Sequence, residues 1–261
     1  MLRHFLVSSA CILLLLLSAC GGVRSTPTAD PHAQQAIEKM AAEIAFKNPQ
    51  NINTPGHVRI PLAKGQWVTT LARYRNPDGD RILSTTKVID VQQDLVTLEV
   101  ENFTASQKGE RSVTLVQIAG YPVNLPVGPD QEAIKAITSQ ARILRMVTQA
   151  GDNPPTEMPP VYLQFASNLM KDFINPAVRT TPMSTQPVET PYIRARDAKV
   201  FDVEVSVLGF RDTGKIQAHG GVPVNNQIVY ENTDQIIYTI AYGLKGAKQT
   251  LFFPPAGTGM Q

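Results

Sequence analysis

The chain has 261 residues, with 24 basic and 22 acidic side chains and a formal net charge of +2. This length is enough for one large domain or two small ones with a buried core. Near-neutrality argues against nucleic acid as a partner, because phosphate binding needs a basic patch. It also argues against a polybasic contact with anionic lipid.

The first 19 residues have the pattern of an export signal. Arg3 and His4 precede an apolar run, residues 5–17, which is shorter than the roughly 20 residues that cross a bilayer. The run ends in Leu17-Ser18-Ala19-Cys20, which resembles the lipobox of bacterial lipoproteins. That resemblance implies cleavage before Cys20 and acylation of its thiol and of the new amine. The alternative is an ordinary signal peptide that contains a cysteine.

Residues 20–29 are short and polar, which predicts a lipidated tether. Similarity to Gram-negative lipoprotein sorting, with Gly21 after the cysteine, favours the outer membrane and a domain that faces the periplasm. Each methylene of a palmitate-like chain contributes about 0.8 kcal/mol, so three acyl chains would anchor the protein stably. Cys11 leaves with the leader and Cys20 carries lipid, so we expect no disulfide in the exported domain.

The next segment predicts a helix followed by four strands. Asp30-Pro31 has the pattern of a helix cap, and apolar residues recur at helical spacing over Asp30–Lys47. From Gly65 the period becomes two, which is typical of strands. The predicted strands form an antiparallel meander: Trp67–Tyr74, Ile82–Val91, Leu95–Phe103 and Ser112–Ile118.

Two further helices are predicted at Gln131–Ala150 and Val161–Asn175, with a proline-rich break between them. A loop with four prolines follows, from Pro176 to Pro191. Period-two patterns then predict five strands: Ala198–Phe210, Gly214–His219, Asn225–Glu231, Gln235–Ala241 and Lys248–Phe253.

This order predicts an α+β, mostly β fold in a single domain, residues 30–261. Two separate sheets would leave exposed edges beside the central break. We therefore expect one curved antiparallel sheet, an incomplete barrel, with the N-terminal helix and two central helices across its concave face.

Three short motifs bracket the strands: Gly65-Gln66-Trp67-Val68, Gly221-Val222-Pro223 and the run Tyr242–Lys248. Together they resemble envelope proteins of the LolA/LolB lipoprotein-carrier type, over roughly Gly65 to Phe253. The resemblance implies an incomplete barrel whose concave side holds acyl chains. Because of the long insertions in this chain, no binding residue of that family can be placed here.

Enzymatic motifs are weak, and we predict no catalytic residues. The chain has no Gly-x-Ser-x-Gly, so His219-Gly220-Gly221 is better explained as a turn between strands than as an oxyanion loop. Glu99 and Glu101 lie two apart on an alternating strand, which predicts that both share its solvated face.

Metal and cofactor sites are not predicted either. No histidine that remains after processing has a partner at ligand spacing. Asn76–Asp80 resembles a calcium loop, but Lys87 occupies the position where a bidentate glutamate belongs, so a hairpin turn is the better interpretation.

The second central helix carries the candidate binding residues. Its apolar stripe has the members Tyr162, Phe165, Leu169 and Phe173. The stripe fits a lid over a lipid cavity, and it fits an ordinary helix-to-sheet core equally well. With Trp67 on the first strand, these residues are the predicted contacts for a lipid or lipoprotein acyl chain. The alternative function is a non-enzymatic interaction component of an envelope assembly.

Overall fold

The computed structural model describes residues 29–169, 177–207 and 210–255. The predicted leader, Cys20 and most of the tether lie outside these ranges. The described helices are α1 (Pro31–Ile44), α2 (Gln131–Gln140) and α3 (Pro160–Leu169), with a 3₁₀ turn at Ala105–Gln107. The strands are β1 (Gln50–Ile52), β2 (Trp67–Tyr74), β3 (Arg81–Gln92), β4 (Leu95–Thr104), β5 (Arg111–Ala119), β6 (Arg142–Ala150), β7 (Thr156–Glu157), β8 (Val178–Glu189), β9 (Ile193–Val207), β10 (Phe210–Ala218), β11 (Gln227–Asn232) and β12 (Gln235–Gly243).

All the described strands belong to one sheet, in the order β1-β9-β10-β11-β12-β2-β3-β4-β5-β6-β7, with β8 paired to β9. The β1–β9 pair is parallel and the other pairs are antiparallel. Strand β12 pairs with β2 from Gln235↔Tyr74 to Gly243↔Trp67, which joins the two halves of the chain. The expectation of one continuous sheet is confirmed.

The sheet curves around a main core, the cluster that includes Val68, Val116, Met146, Leu163 and Ile193. Met146 lies on β6 and Ile193 on β9, near opposite ends of the strand order. Side chains from such distant strands meet only if the sheet bends toward itself. The sheet remains open, so the predicted α+β incomplete barrel is confirmed.

The three helices pack against different faces of the sheet. Ile137 of α2 and Leu163 of α3 join the main core on the concave side, as predicted. Helix α1 packs instead with Leu71 and Leu83, on the opposite face of β2 and β3. It begins as predicted, because Asp30 accepts a hydrogen bond from the His32 N–H and caps the first turn.

The predicted helix Gln131–Ala150 is wrong in its second half. Helix α2 ends at Gln140, and residues 142–150 form β6, which pairs with β5 along its whole length. The backbone at Ala141 is extended, and the run that follows contains Ile143, Met146 and Val147. This spacing fits a helix stripe, but the free edge of β5 offers a complete hydrogen-bonding ladder, and tertiary pairing decides the outcome.

The predicted proline-rich loop Pro176–Pro191 is also wrong, because residues 178–189 form the edge strand β8. The pairing of β8 with β9 shifts register between Pro182 and Ser184 and again between Gln186 and Val188. Proline has no backbone N–H to donate to a neighbouring strand. It is tolerated at sheet edges and bulges because no such hydrogen bond is needed there. Prolines therefore interrupt this strand without abolishing it.

The C-terminal segment also differs from its prediction. Lys248–Phe253 was expected to be a strand, but it has no strand assignment and lies across the convex face of the sheet. We call residues 248–255 the C-terminal strap. Leu251 packs there with Val113, Leu115 and Val147. The predicted helix Val161–Asn175 begins at Pro160 and is described only to Leu169.

Candidate functional site

Helix α3 covers the exposed edge of the sheet at β6. The Ile143 N–H, at that edge, donates to the Ser167 hydroxyl at 3.2 Å, and the Met158 N–H donates to the Met146 carbonyl at 2.8 Å. Leu163 and Ala166 point inward and are buried in the main core. A helix in this position protects unpaired strand groups from pairing with another chain.

The opposite side of α3 faces solvent and carries three apolar side chains beside the exposed polar Gln164 and Asn168. Val161 is 66% exposed, Tyr162 44% and Phe165 65%. We call these three residues the outer face of α3. The helix, PVYLQFASNL, contains no charged residue. A surface helix of a globular protein normally puts charged or polar groups on its outer side, so a group of adjacent exposed apolar residues indicates a contact surface.

The structure does not bring all the predicted contact residues together. Tyr162 and Phe165 lie side by side on the outer face of α3, where both are exposed. The inward contacts come from Leu163 and Ala166, which the predicted stripe did not include. The backbone of Leu169 ends the described part of α3, whereas Phe173 lies outside the described residues, as does the predicted lipidation site Cys20.

Trp67 lies elsewhere, four strands away from β6 in the sheet order. Its indole N–H donates to the Lys245 carbonyl at 3.2 Å. The ring covers Gly243, where an added Cβ would lie only 2.3 Å from the indole nitrogen. Trp67 therefore packs against the last strand and fixes the turn that follows it, remote from the outer face of α3.

An open groove of about 680 Å³ lies along β8, β9, β10 and β11. Five charged side chains are in its lining, together with threonines and an asparagine: Arg179, Lys215, Asp202, Glu204 and Glu231. Such a surface suits a polar ligand.

His219 belongs to a buried structural cluster. Its Nε2 lies 3.2 Å from Asp197 Oδ1, and its Nδ1 accepts from the Gly221 N–H at 2.9 Å. Burial lowers the pKa of His219, and the Asp197 carboxylate offsets only part of this effect. The side chain is fully buried and both ring nitrogens are engaged, so it cannot act on a substrate in this conformation. The motif is a turn between β10 and β11, as predicted.

Glu99 contradicts its predicted place on a solvated face, because it is fully buried beneath the C-terminal strap. Its carboxylate accepts from Lys87 Nζ at 2.8 Å, from the Thr250 N–H at 2.7 Å and from the Leu251 N–H at 2.9 Å. Burial raises the pKa of Glu99, but these hydrogen bonds outweigh it and hold the pKa below its usual value. Its partners on the strap, Thr250 and Leu251, lie 151 and 152 residues later in the chain, so no local pattern reveals the site.

The predicted hairpin at Asn76–Asp80 is confirmed as the turn between β2 and β3. Asp80 is buried and accepts from the Ser106 N–H at 3.0 Å and from the Ser106 hydroxyl. Its carboxylate thus joins two neighbouring turns. Within the described ranges, no group of three or more His, Cys, Asp or Glu side chains could hold a metal ion.

No protein-family model matches the chain, and no curated protein matches its sequence. Of the helices in the described residues, none has the length and apolar character needed to cross a bilayer. The outer face of α3 is the candidate functional site, because three exposed apolar side chains lie next to one another on it.

Proposed function

We propose that the chain is a non-enzymatic lipoprotein, held by acyl groups on Cys20 in the outer membrane and facing the periplasm. Its β domain binds a hydrophobic ligand, a lipid or an acyl chain, through the outer face of α3. The lipobox pattern at residues 17–20 supports the anchor. One observation supports the binding site: three apolar side chains of α3 are exposed to solvent, and the helix has no charged residue.

The resemblance to LolA/LolB carriers implies an acyl chain on the concave side of the sheet. Here the main core, with Met146, Leu163 and Ile193, occupies that side. The proposal therefore places the ligand outside the sheet, against α3. Full burial of a Phe or Val side chain contributes about 1.5–3 kcal/mol, so covering Phe165 contributes on the order of 1–2 kcal/mol.

A second candidate function is an interaction component of a cell-envelope assembly. The outward direction of Tyr162 and Phe165 favours it, because an external apolar patch is typical of protein contacts. In that case the partner would be a protein with a complementary apolar surface. The two candidates differ in what touches Phe165 in the cell.

Photocrosslinking separates them. A benzophenone amino acid replaces Phe165 in the full chain, and the cells are irradiated before the envelope is isolated. Under the proposal, mass spectrometry of the purified protein shows lipid adducts at this position. Met183 on β8 is the matched control, because it is an apolar side chain with 58% exposure on another surface.

A crosslink from position 165 to one stoichiometric protein would replace the lipid proposal with the interaction component. Equal adduct yields at positions 165 and 183 would contradict both functions, since they would show that nothing specific covers the outer face of α3.

A further inference from the structure

The N-terminal end of the described chain is fixed to the sheet. The Ala29 N–H donates to the Asp78 carbonyl at 3.0 Å, in the turn between β2 and β3. The β4–β5 turn and the end of β6 lie at this same end of the sheet, because the Gly151 N–H donates to the Arg111 carbonyl at 2.7 Å. The predicted tether and the segment that leads from β6 to α3 therefore leave the sheet at the same end.

The distance from Ala29 to α3 follows from strand spacing. Three inter-strand steps from β3 to β6 amount to about 14 Å. Met146, which anchors Met158 just before α3, lies about four residues along β6 from Ala150, or roughly 13 Å. The start of α3 is thus roughly 20 Å from Ala29.

Residues 21–28 separate Cys20 from Ala29. This connection spans at most about 30 Å when fully extended. A bilayer that holds the acyl groups of Cys20 is therefore within reach of the outer face of α3. The same bilayer can therefore cover the outer face of α3, without a second membrane or a soluble lipid.

We propose that the outer face of α3 lies in the interfacial region of the bilayer that holds Cys20, and this inference rests on the proposed anchoring. Phe165 and Val161 enter the acyl boundary, while the phenol of Tyr162 is suited to the headgroup level. The absence of charge on α3 favours this occupant, since every ionised group would resist leaving water. The ligand of the proposed function is then the membrane lipid itself.

A fluorescent label tests the inference on the acylated protein. The mature chain has no cysteine other than Cys20, so Phe165→Cys provides a single free thiol. The variant is labelled with a nitrobenzoxadiazole dye and reconstituted into vesicles of phosphatidylethanolamine and phosphatidylglycerol that contain spin-labelled lipid. Met183→Cys is the control and Val161→Cys is the second test position.

At positions 165 and 161 we expect a blue-shifted emission and several-fold stronger quenching than at position 183. If the protein floats with the vesicles but all three dyes are quenched equally, the inference is overturned while the anchor stands. If the acylated protein does not float with the vesicles, the proposed function itself fails. A dye at position 165 that is shielded from water but not quenched by lipid would indicate a protein contact and would also overturn the inference.

Discussion

Glu99 shows how one residue can join two distant parts of this chain. Its carboxylate lies on β4, and the groups that donate to it come from Lys87 on β3 and from Thr250 and Leu251 on the strap. Lys87 also lies 3.2 Å from Glu101, and Arg111 pairs with Glu101 in turn. The cluster compensates a buried charge and holds the strap against the sheet.

Replacing Glu99 by alanine should therefore destabilise the folded chain strongly. Removing one member of a buried ion pair typically costs about 3–5 kcal/mol, because the remaining groups lose their partner without regaining water. We expect a loss of this size in the free energy of unfolding, measured by urea titration of the full chain. Glu43→Ala on the exposed side of α1 is the control, and it should change stability by no more than about 0.5 kcal/mol. A similarly small effect of Glu99→Ala would contradict the role of Glu99 in holding the strap against the sheet.

The same carboxylate should make stability depend on pH. The pKa of Glu99 is lower in the folded chain than in the unfolded one, so its contribution is complete above the unfolded value of about 4.3. That contribution is lost as the pH falls through the lower, folded pKa. Glu99→Gln has no charge to titrate, so the stability difference from the original chain should shrink between neutral and strongly acidic pH. Urea titrations at several pH values measure this difference, and a constant difference would contradict the assignment.

The candidate site was predictable only in part. Helical spacing correctly indicated that Tyr162 and Phe165 share one face of a helix. Leu163 and Ala166 form a second apolar stripe beside them, and the sequence offers no means of deciding which stripe meets the sheet. Glu99 was missed for a different reason, since only the strap converts an exposed strand position into a buried one.

Among the elements, prediction succeeded where a pattern and its partner are close in the chain. Strands β2 to β5 pair with their sequence neighbours and were predicted within two residues. Strands β6 and β8 were missed because their assignment depends on an available edge, of β5 for one and β9 for the other. The apolar stripe of β6 fits a helix, and the prolines of β8 fit a loop. In both segments, hydrogen bonding to the neighbouring strand determined the structure.

The two sides of α3 should respond differently to substitution. Leu163→Ala removes buried methyl groups from the main core and should cost about 2–5 kcal/mol of stability. Phe165→Ser acts on the exposed outer face and should change the free energy of unfolding by about 0.5 kcal/mol or less. Urea titration of both variants checks the orientation, and a larger loss for Phe165→Ser would mean that this side is the buried one.

The C-terminal strap covers an apolar part of the convex face of the sheet. Deleting residues 248–261 removes Leu251 and the strap groups that donate to Glu99, and it uncovers Val113, Leu115 and Val147. Newly exposed apolar surface binds hydrophobic dyes, so the truncated chain should enhance anilinonaphthalene sulfonate fluorescence and unfold at lower urea. Leu251→Ala, which keeps the backbone donors, should show a smaller effect. Unchanged dye binding after truncation would mean that the strap does not cover these residues.

The molecule as a whole depends on contacts between its two halves. The pairing of β12 with β2 connects residues more than 160 positions apart, and the strap crosses back onto β4. The main core on the concave side contains residues from both halves. Attachment to a membrane would therefore determine which outer surface meets which partner.

The predicted anchor can be tested at the two cysteines of the chain, because Cys20 ends the lipobox pattern and Cys11 lies outside it. Cys20→Ser should abolish incorporation of labelled palmitate and remove the protein from the outer-membrane fraction, because an oxygen cannot form the thioether that the lipobox chemistry requires. Cys11→Ser changes the other cysteine, within the apolar run, and should leave both properties intact. Metabolic labelling followed by membrane fractionation measures both. If palmitate still enters the Cys20→Ser chain, or if both variants lose it equally, residue 20 is not the acylated position, and α3 loses the bilayer against which it is placed.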